Sequence, residues 1–115
     1  MVTYKKHLSE PHFSNIKSGK KKVEGRLNKG SFAEMKKGDI VEWFNDDTNK
    51  KRKMKTKIVK LVYYKTFEKM IRTERLKNVL PEQTRILDGV NVYYEFYTPE
   101  DEKKYGIVAI RIRKI

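Results

Sequence analysis

The sequence predicts an α+β fold in which strands and helices are largely segregated along the chain. The predicted elements run helix, three strands, helical segments and a final strand, which is not the regular strand–helix alternation of a parallel α/β protein. A small mixed or antiparallel barrel with flanking helices fits this order. The chain has 115 residues, so we expect one domain spanning residues 1–115. Its apolar residues recur at strand or helix spacing, which argues against disorder although 37% of the residues are charged.

Strands are predicted where apolar residues alternate with polar ones or run together between turn signals. These segments are 21–27, 40–44, 54–64 and 106–112. In the first of them, alternation puts Lys22, Glu24 and Arg26 on one face. Lys21 precedes this face, so it joins Glu24 only if it lies at the strand entry, where the chain is still turning.

Helices are predicted from caps, breakers and apolar spacing. The first begins at Ser9-Glu10-Pro11 and ends at Gly19. The others are a helical turn over 31–37, a helix capped by Thr66, and a stretch that Pro81 stops. Residues 82–97 have both helical and strand character, and residues 99–102 predict a loop or turn.

The composition predicts a polyanionic partner. The net charge is +13, from 28 Lys plus Arg against 15 Asp plus Glu. No strongly amphipathic basic helix is evident, which favours nucleic acid over a membrane surface; the alternative is that the charge only confers solubility.

No apolar run reaches membrane-spanning length and no signal segment is evident, so we expect a soluble, intracellular protein. With no cysteine and only two histidines, we expect no metal and no cofactor.

Basic side chains are concentrated in two segments. The predicted nucleic-acid contacts are Lys17, Lys20, Lys22, Lys50, Lys51, Arg52, Lys53, Lys55 and Lys57. Of these, Lys53, Lys55 and Lys57 alternate and share one strand face, which is also typical of a strand edge protected from aggregation. Trp43 and Phe44 are predicted to lie in the core rather than to stack on bases, and the two histidines are interpreted as incidental.

The most informative motif is Gly-x-Lys-x-x-Glu-x-Arg, formed by Gly19, Lys21, Glu24 and Arg26. A carboxylate close to two cations stays ionised. It can then accept a hydrogen bond from the exocyclic amine of a base while the cations hold a phosphate. The alternative is an ion-pair network that is only structural.

This motif, the Lys37–Ile40 turn and the 97–110 block together resemble the ASCH (activating-signal-cointegrator homology) domain family. The resemblance covers nearly the whole chain and implies a PUA-like mixed β-barrel with flanking helices. It also implies a nucleic-acid binder, most favourably of single-stranded or structured RNA, and we favour a monomer. The ligand-binding cleft would be lined by Lys21, Glu24 and Arg26, with Glu74 opposite.

Two other functions stay open. Some small ASCH proteins are amidohydrolases that act on acetylcytidine, and Lys21 and Glu74 resemble two of their catalytic residues. However, Glu24 stands where those enzymes have a threonine, which favours binding over catalysis. The second alternative is a protein-interaction module in transcription or translation.

Overall fold

One five-stranded sheet, curled into a half-barrel, forms the centre of the protein. The computed structural model describes all 115 residues. The strands are β1 (Thr3–His7), β2 (Val23–Leu27), β3 (Ile40–Asn45), β4 (Arg52–Tyr64) and β5 (Ile107–Lys114). The helices are α1 (His12–Lys17), α2 (Phe67–Glu74), α3 (Leu76–Val79), α4 (Ile86–Tyr94) and α5 (Pro99–Tyr105), with a 3-10 turn at Gly30–Ala33.

The strand order is β1-β3-β4-β5-β2, so β1 and β2 are the two edges of the sheet. The β1–β3 pair is parallel and the three other pairs are antiparallel. The two edges approach each other at one point, where Nη2 of Arg26 donates to the His7 carbonyl at 3.0 Å. The predicted α+β class with a mixed, barrel-like sheet is therefore confirmed.

Two apolar layers cover the two faces of the sheet. On β5, Val108 and Ile110 pack in the half-barrel interior with Trp43, whereas Ile107 and Ala109 pack against α2, α3 and α4. On β2, Val23 and Leu27 belong to the helix-covered layer. Because side chains alternate along a strand, Glu24 and Arg26 face the interior of the half-barrel.

The segment predicted as a loop at 99–102 is helix α5, so that prediction was wrong. Thr98 caps the helix by accepting a hydrogen bond from the Asp101 amide at 3.1 Å, and Pro99 occupies the first turn. The helix ends at Gly106, whose φ of +70° suits glycine. The ambiguous segment 82–97 contains helix α4.

Two further details differ from the sequence predictions. Strand β1 was not predicted, because its five residues lack apolar alternation and only Tyr4 packs against the interior cluster. Trp43 is fully buried as predicted, but Phe44 is only half-buried, on the outer face of the sheet. No helix is both long and apolar enough to cross a membrane.

Candidate functional site

A chain of three charged side chains lies at the start of β2. Gly19, with φ of +84°, turns the backbone out of α1, and Lys21 lies in the entry to the strand. Lys21 Nζ is 3.2 Å from Glu24 Oε1, and Arg26 Nε is 2.9 Å from Glu24 Oε2. The exposed fractions of the three side chains are 0%, 7% and 19% in that order. Lys21 therefore joins Glu24 from the strand entry, as the sequence required.

The charge chain fixes the protonation state of Glu24. Burial alone would raise the pKa of this carboxyl, but Lys21 and then Arg26 outweigh burial and lower the pKa to about 2. Burial lowers the pKa of Lys21, against the attraction of Glu24. Lys21 also donates to the Val79 carbonyl, which ties the chain to α3. At neutral pH Glu24 is consequently a carboxylate that only accepts hydrogen bonds.

Glu24 and Arg26 form the polar wall of a cavity of about 290 Å³, which we call the edge cavity. The edge cavity lies between the β2 edge, the end of β1 and the end of α4. Its opposite wall is aromatic, formed by Tyr93, Phe96 and Tyr97. Ligand pockets typically measure ~300–1,000 Å³, so this volume suits one small group rather than an extended chain.

The aromatic wall is rigid at its base and exposed at its rim. The Tyr93 and Tyr97 rings stack on Phe67, with centroids 4.5 and 5.5 Å apart. Phe96, in contrast, is 59% exposed although it lines the edge cavity. Gly25 allows Met70 and Tyr93 to approach the strand, since a Cβ at this position would lie 2.7 Å from Met70 Sδ and 3.0 Å from the tyrosine hydroxyl. Phe96 is therefore the exposed ring of this wall, and it is tilted by 53° to the Tyr97 ring.

Two buried polar atoms in this cavity have no hydrogen-bond partner. They are Nδ1 of His12 and the hydroxyl of Tyr93. Burial lowers the pKa of His12, so its ring is neutral at pH 7, and burial raises the pKa of Tyr93. A buried polar group without a partner costs about 1–3 kcal/mol. Neither atom is exposed, so neither is a contact point for a ligand in the edge cavity as the structure stands.

Two predicted site residues lie elsewhere. Lys21 is behind Glu24 and does not line the edge cavity, so it positions the carboxylate instead of forming the wall. Glu74 is not opposite Glu24: its two oxygens accept from Arg111 at 2.7 and 3.0 Å, and Tyr64 donates to it as well. The reason is that α2 covers the other face of the sheet. No hydrogen bond or ion pair joins Lys21 to Glu74, the residue pair of the hydrolase alternative.

The predicted alternation on β4 is present. Lys53, Lys55 and Lys57, which we call the β4 lysine row, project from the outer face, while Met54, Thr56 and Ile58 are buried. None of the row forms an ion pair, nor do the other predicted contacts Lys17, Lys20, Lys22, Lys50 and Lys51. Arg52 differs from these residues, because it is paired with Glu10 at 2.8 Å.

The β4 lysine row and the edge cavity meet at one corner of the sheet. Lys53 is paired in register with Phe44, and Phe44 with His7. The His7 and Phe44 rings are in edge contact, with centroids 5.4 Å apart. His7 in turn lines the edge cavity. One end of the β4 lysine row, at Lys53, is therefore separated from the cavity-lining His7 by the single strand β3.

Sequence reasoning missed His7, His12 and Phe96. No sequence signal marks the histidines as cavity-lining, because their position depends on β1 reaching the β2 edge. His7 Nε2 also lies 3.1 Å from Asp46 and 3.3 Å from Asp47. These exposed side chains are the one group of three potential metal ligands in the chain.

Comparisons with known proteins identify similar sequences and folds. A family model described as the ASCH domain matches residues 7–115. The chain is similar to the crystal structure of the hypothetical protein PH0355, with 39% identity and a TM-score of 0.89 over 99% of this chain and 100% of that one. It is also similar to the solution NMR structure of protein PF0455 from Pyrococcus furiosus, with 36% identity and a TM-score of 0.79 over 99% and 98% of the two chains.

Two variants of ZmASCH from Zymomonas mobilis share the fold. One is a serine-to-alanine variant, with 13% identity and a TM-score of 0.66 over 96% of this chain and 67% of that one. The other is a tyrosine-to-phenylalanine variant, with 14% identity and a TM-score of 0.67 over 100% and 76%. A search of curated proteins gave no match.

Proposed function

Because the chain belongs to the ASCH domain family, we propose that this protein binds nucleic acid, in particular single-stranded or structured RNA, and takes one base or nucleotide into the edge cavity. The observation that carries the proposal is the composition of the cavity walls. An ionised carboxylate and a guanidinium face one side, and aromatic rings face the other. Proteins that read unpaired bases combine these two features, stacking on the ring and hydrogen bonding to its edge.

The size of the edge cavity supports one base as the occupant. About 290 Å³ is too small for an oligonucleotide. The exposed Phe96 ring at the rim is free to stack on that base.

The β4 lysine row supplies the second part of the proposed interface. Unpaired lysines neutralise phosphates and release counterions, which gives an affinity that depends on salt rather than sequence. Their path toward His7 allows a strand that follows the row to reach the cavity mouth. In this account the row holds the backbone and the cavity holds one base.

The direct test is the Phe96→Ala variant with a short single-stranded RNA. Base–aromatic stacking contributes about 1–3 kcal/mol per base, so the dissociation constant should rise by about 5- to 150-fold. Leu87→Ala is the matched control, since Leu87 is a 61% exposed apolar residue of α4 that does not line the cavity. Fluorescence anisotropy at fixed salt measures both variants.

If Phe96→Ala and Leu87→Ala weaken RNA binding equally, the loss comes from removing any exposed apolar side chain and not from a contact in the edge cavity. Unchanged RNA binding in Phe96→Ala would remove the edge cavity from the interface. Binding that is absent in the parent protein for RNA and DNA alike would favour the protein-interaction alternative.

A further inference from the structure

The hydrogen-bonding capacity left unused at the cavity wall selects among the bases. A carboxylate offers about four lone-pair sites. In Glu24 one site on each oxygen is taken, by Lys21 on Oε1 and by Arg26 on Oε2. About two acceptor sites remain for a ligand, and none of them can become a donor while the group is ionised.

Arg26 has donors to spare beside those acceptors. Its guanidinium carries five N–H groups. Nε donates to Glu24 and Nη2 donates to the His7 carbonyl, and no other acceptor in the protein binds the group. The guanidinium also packs over the Phe32 and Trp43 rings, at 5.0 and 5.5 Å from their centroids. Glu24 and Arg26 therefore line the edge cavity with acceptors and donors that the protein itself does not use, on side chains that are 7% and 19% exposed.

The Watson–Crick edges of the four bases differ in how they meet such a wall. Guanine presents an acceptor, O6, followed by two adjacent donors, N1–H and N2–H₂. Adenine and cytosine each place a single exocyclic amine beside a ring nitrogen that accepts, and uracil has one N–H between two carbonyls. Against an ionised carboxylate, the ring nitrogen of adenine or cytosine, or a carbonyl of uracil, lies opposite a carboxylate lone pair. Neither acceptor then has a donor, and an unpaired polar group costs free energy in a buried site.

We infer that the edge cavity is selective for guanine, with Arg26 donating to O6 and Glu24 accepting from N1–H and N2–H₂ while the ring stacks on the Phe96 side. This inference rests on the proposed function and specifies its ligand. Lys21 has a positioning role in it, because the lysine holds Glu24 ionised and fixes one of its oxygens.

The experiment leaves the protein unchanged and varies the ligand. Isothermal titration calorimetry with the full chain compares GMP, AMP, CMP and UMP. It then compares GMP with IMP, which lacks the N2 amine, and with 1-methyl-GMP, which lacks the N1 proton. The matched control is 7-deaza-GMP, which is altered only on the edge that faces away from Glu24.

GMP should bind most tightly of the four nucleotides, and IMP about tenfold more weakly than GMP, since a good bidentate contact discriminates by about that factor or more. The affinity of 7-deaza-GMP should equal that of GMP. The same comparison in a short uridine-rich RNA with one central G, inosine, A or C extends the test to weak ligands. IMP or any other nucleotide binding as tightly as GMP in both formats overturns the guanine inference.

A Glu24→Gln variant gives an independent readout. The glutamine amide replaces one acceptor oxygen by an NH₂ donor group, so the preference should move from guanine toward adenine and cytosine, which pair with one donor and one acceptor. A preference for guanine retained in a folded Glu24→Gln variant contradicts the assignment. The two proposals fail in different ways. If the proposed function is wrong, Phe96→Ala leaves RNA binding unchanged; if only the guanine inference is wrong, Phe96→Ala weakens binding but the bases bind equally.

Discussion

Replacing Lys21 by methionine removes the buried end of the charge chain at nearly constant side-chain volume. The Lys21 side chain is 0% exposed and that of its partner Glu24 is 7% exposed. The pKa of Glu24 falls from its ordinary value of 4.5 to about 2, with Lys21 the largest favourable cause. At 1.36 kcal/mol per pKa unit this corresponds to about 3 kcal/mol of interaction with the ionised form.

Removing one partner of a buried ion pair costs about 3–5 kcal/mol, because the other charge is left buried. Arg26 still contacts Glu24 in the variant, so we expect the lower end, a loss of about 3 kcal/mol in the free energy of unfolding. That is a large share of the ~5–15 kcal/mol typical of a domain. The melting temperature should fall by roughly 12 °C, at about 4 °C per kcal/mol.

Urea unfolding at neutral pH measures the loss, and the chain carries its own probe. Trp43 is the single tryptophan; it is fully buried and donates to Thr56 Oγ1 at 2.9 Å. Its fluorescence and the far-UV circular dichroism should give one coincident transition. Lys20→Met is the control, since Lys20 is exposed and should change stability by no more than about 0.5 kcal/mol.

The double variant Lys21→Met with Glu24→Gln removes both charges. It should lose less than the sum of the two single variants, with a coupling of about 1 kcal/mol or more. If Lys21→Met is as stable as the parent and the coupling is zero, then Lys21 does not hold Glu24 ionised, and the reasoning about the charge chain fails.

Three further predictions concern pH, salt and catalysis. The pKa of Glu24 is depressed in the folded protein, so the carboxylate contributes to the free energy of unfolding above about pH 4.5, and this contribution is lost as the pH falls toward about 2. Between about pH 5 and pH 3, urea unfolding should therefore show a smaller loss of stability in Glu24→Gln than in the parent. Neutralising the β4 lysine row to glutamine should reduce the log–log salt slope of RNA binding by about 2 units, at about 0.7 per phosphate, and an unchanged slope would exclude the row. The control for that experiment neutralises three exposed helix lysines, Lys69, Lys77 and Lys103. Acetylcytidine should not be hydrolysed, because a carboxylate with a pKa of about 2 is a weak general base; turnover lost in both Lys21→Ala and Glu74→Ala would reinstate the enzyme alternative.

The sheet could be predicted from the sequence wherever burial on one face imposes alternation. The long β4 and the apolar β5 are examples, and Gly19 with the charged residues after it marked the start of β2. Strand β1 lacks this pattern because it is an exposed edge strand with one partner. Helix α5 did carry readable signals, a threonine cap, a first-turn proline and a terminal glycine, that its acidic composition obscured.

The charge chain was predictable and the edge cavity was not. Alternation alone puts Glu24 and Arg26 on one strand face, and Lys21 joins them because it lies before β2, where the chain is still turning. Glu74 is distant in sequence, and nothing in its local pattern tells which face of the sheet α2 covers. His7, His12 and Phe96 come from three elements that meet only after the half-barrel curls. Local spacing therefore gave the carboxylate and its cations, while tertiary packing supplied the aromatic and imidazole walls.

The central claim is that one base enters the edge cavity while the β4 lysine row holds the backbone. The most direct measurement is a ¹H–¹⁵N NMR titration of the protein with a short single-stranded RNA. We predict that the largest shifts arise at the amides of Gly25, Tyr93 and Phe96, accompanied by shifts along the β4 lysine row that high salt removes. Shifts confined to the lysine row, with the amides of the edge cavity unmoved at saturation, would contradict the account.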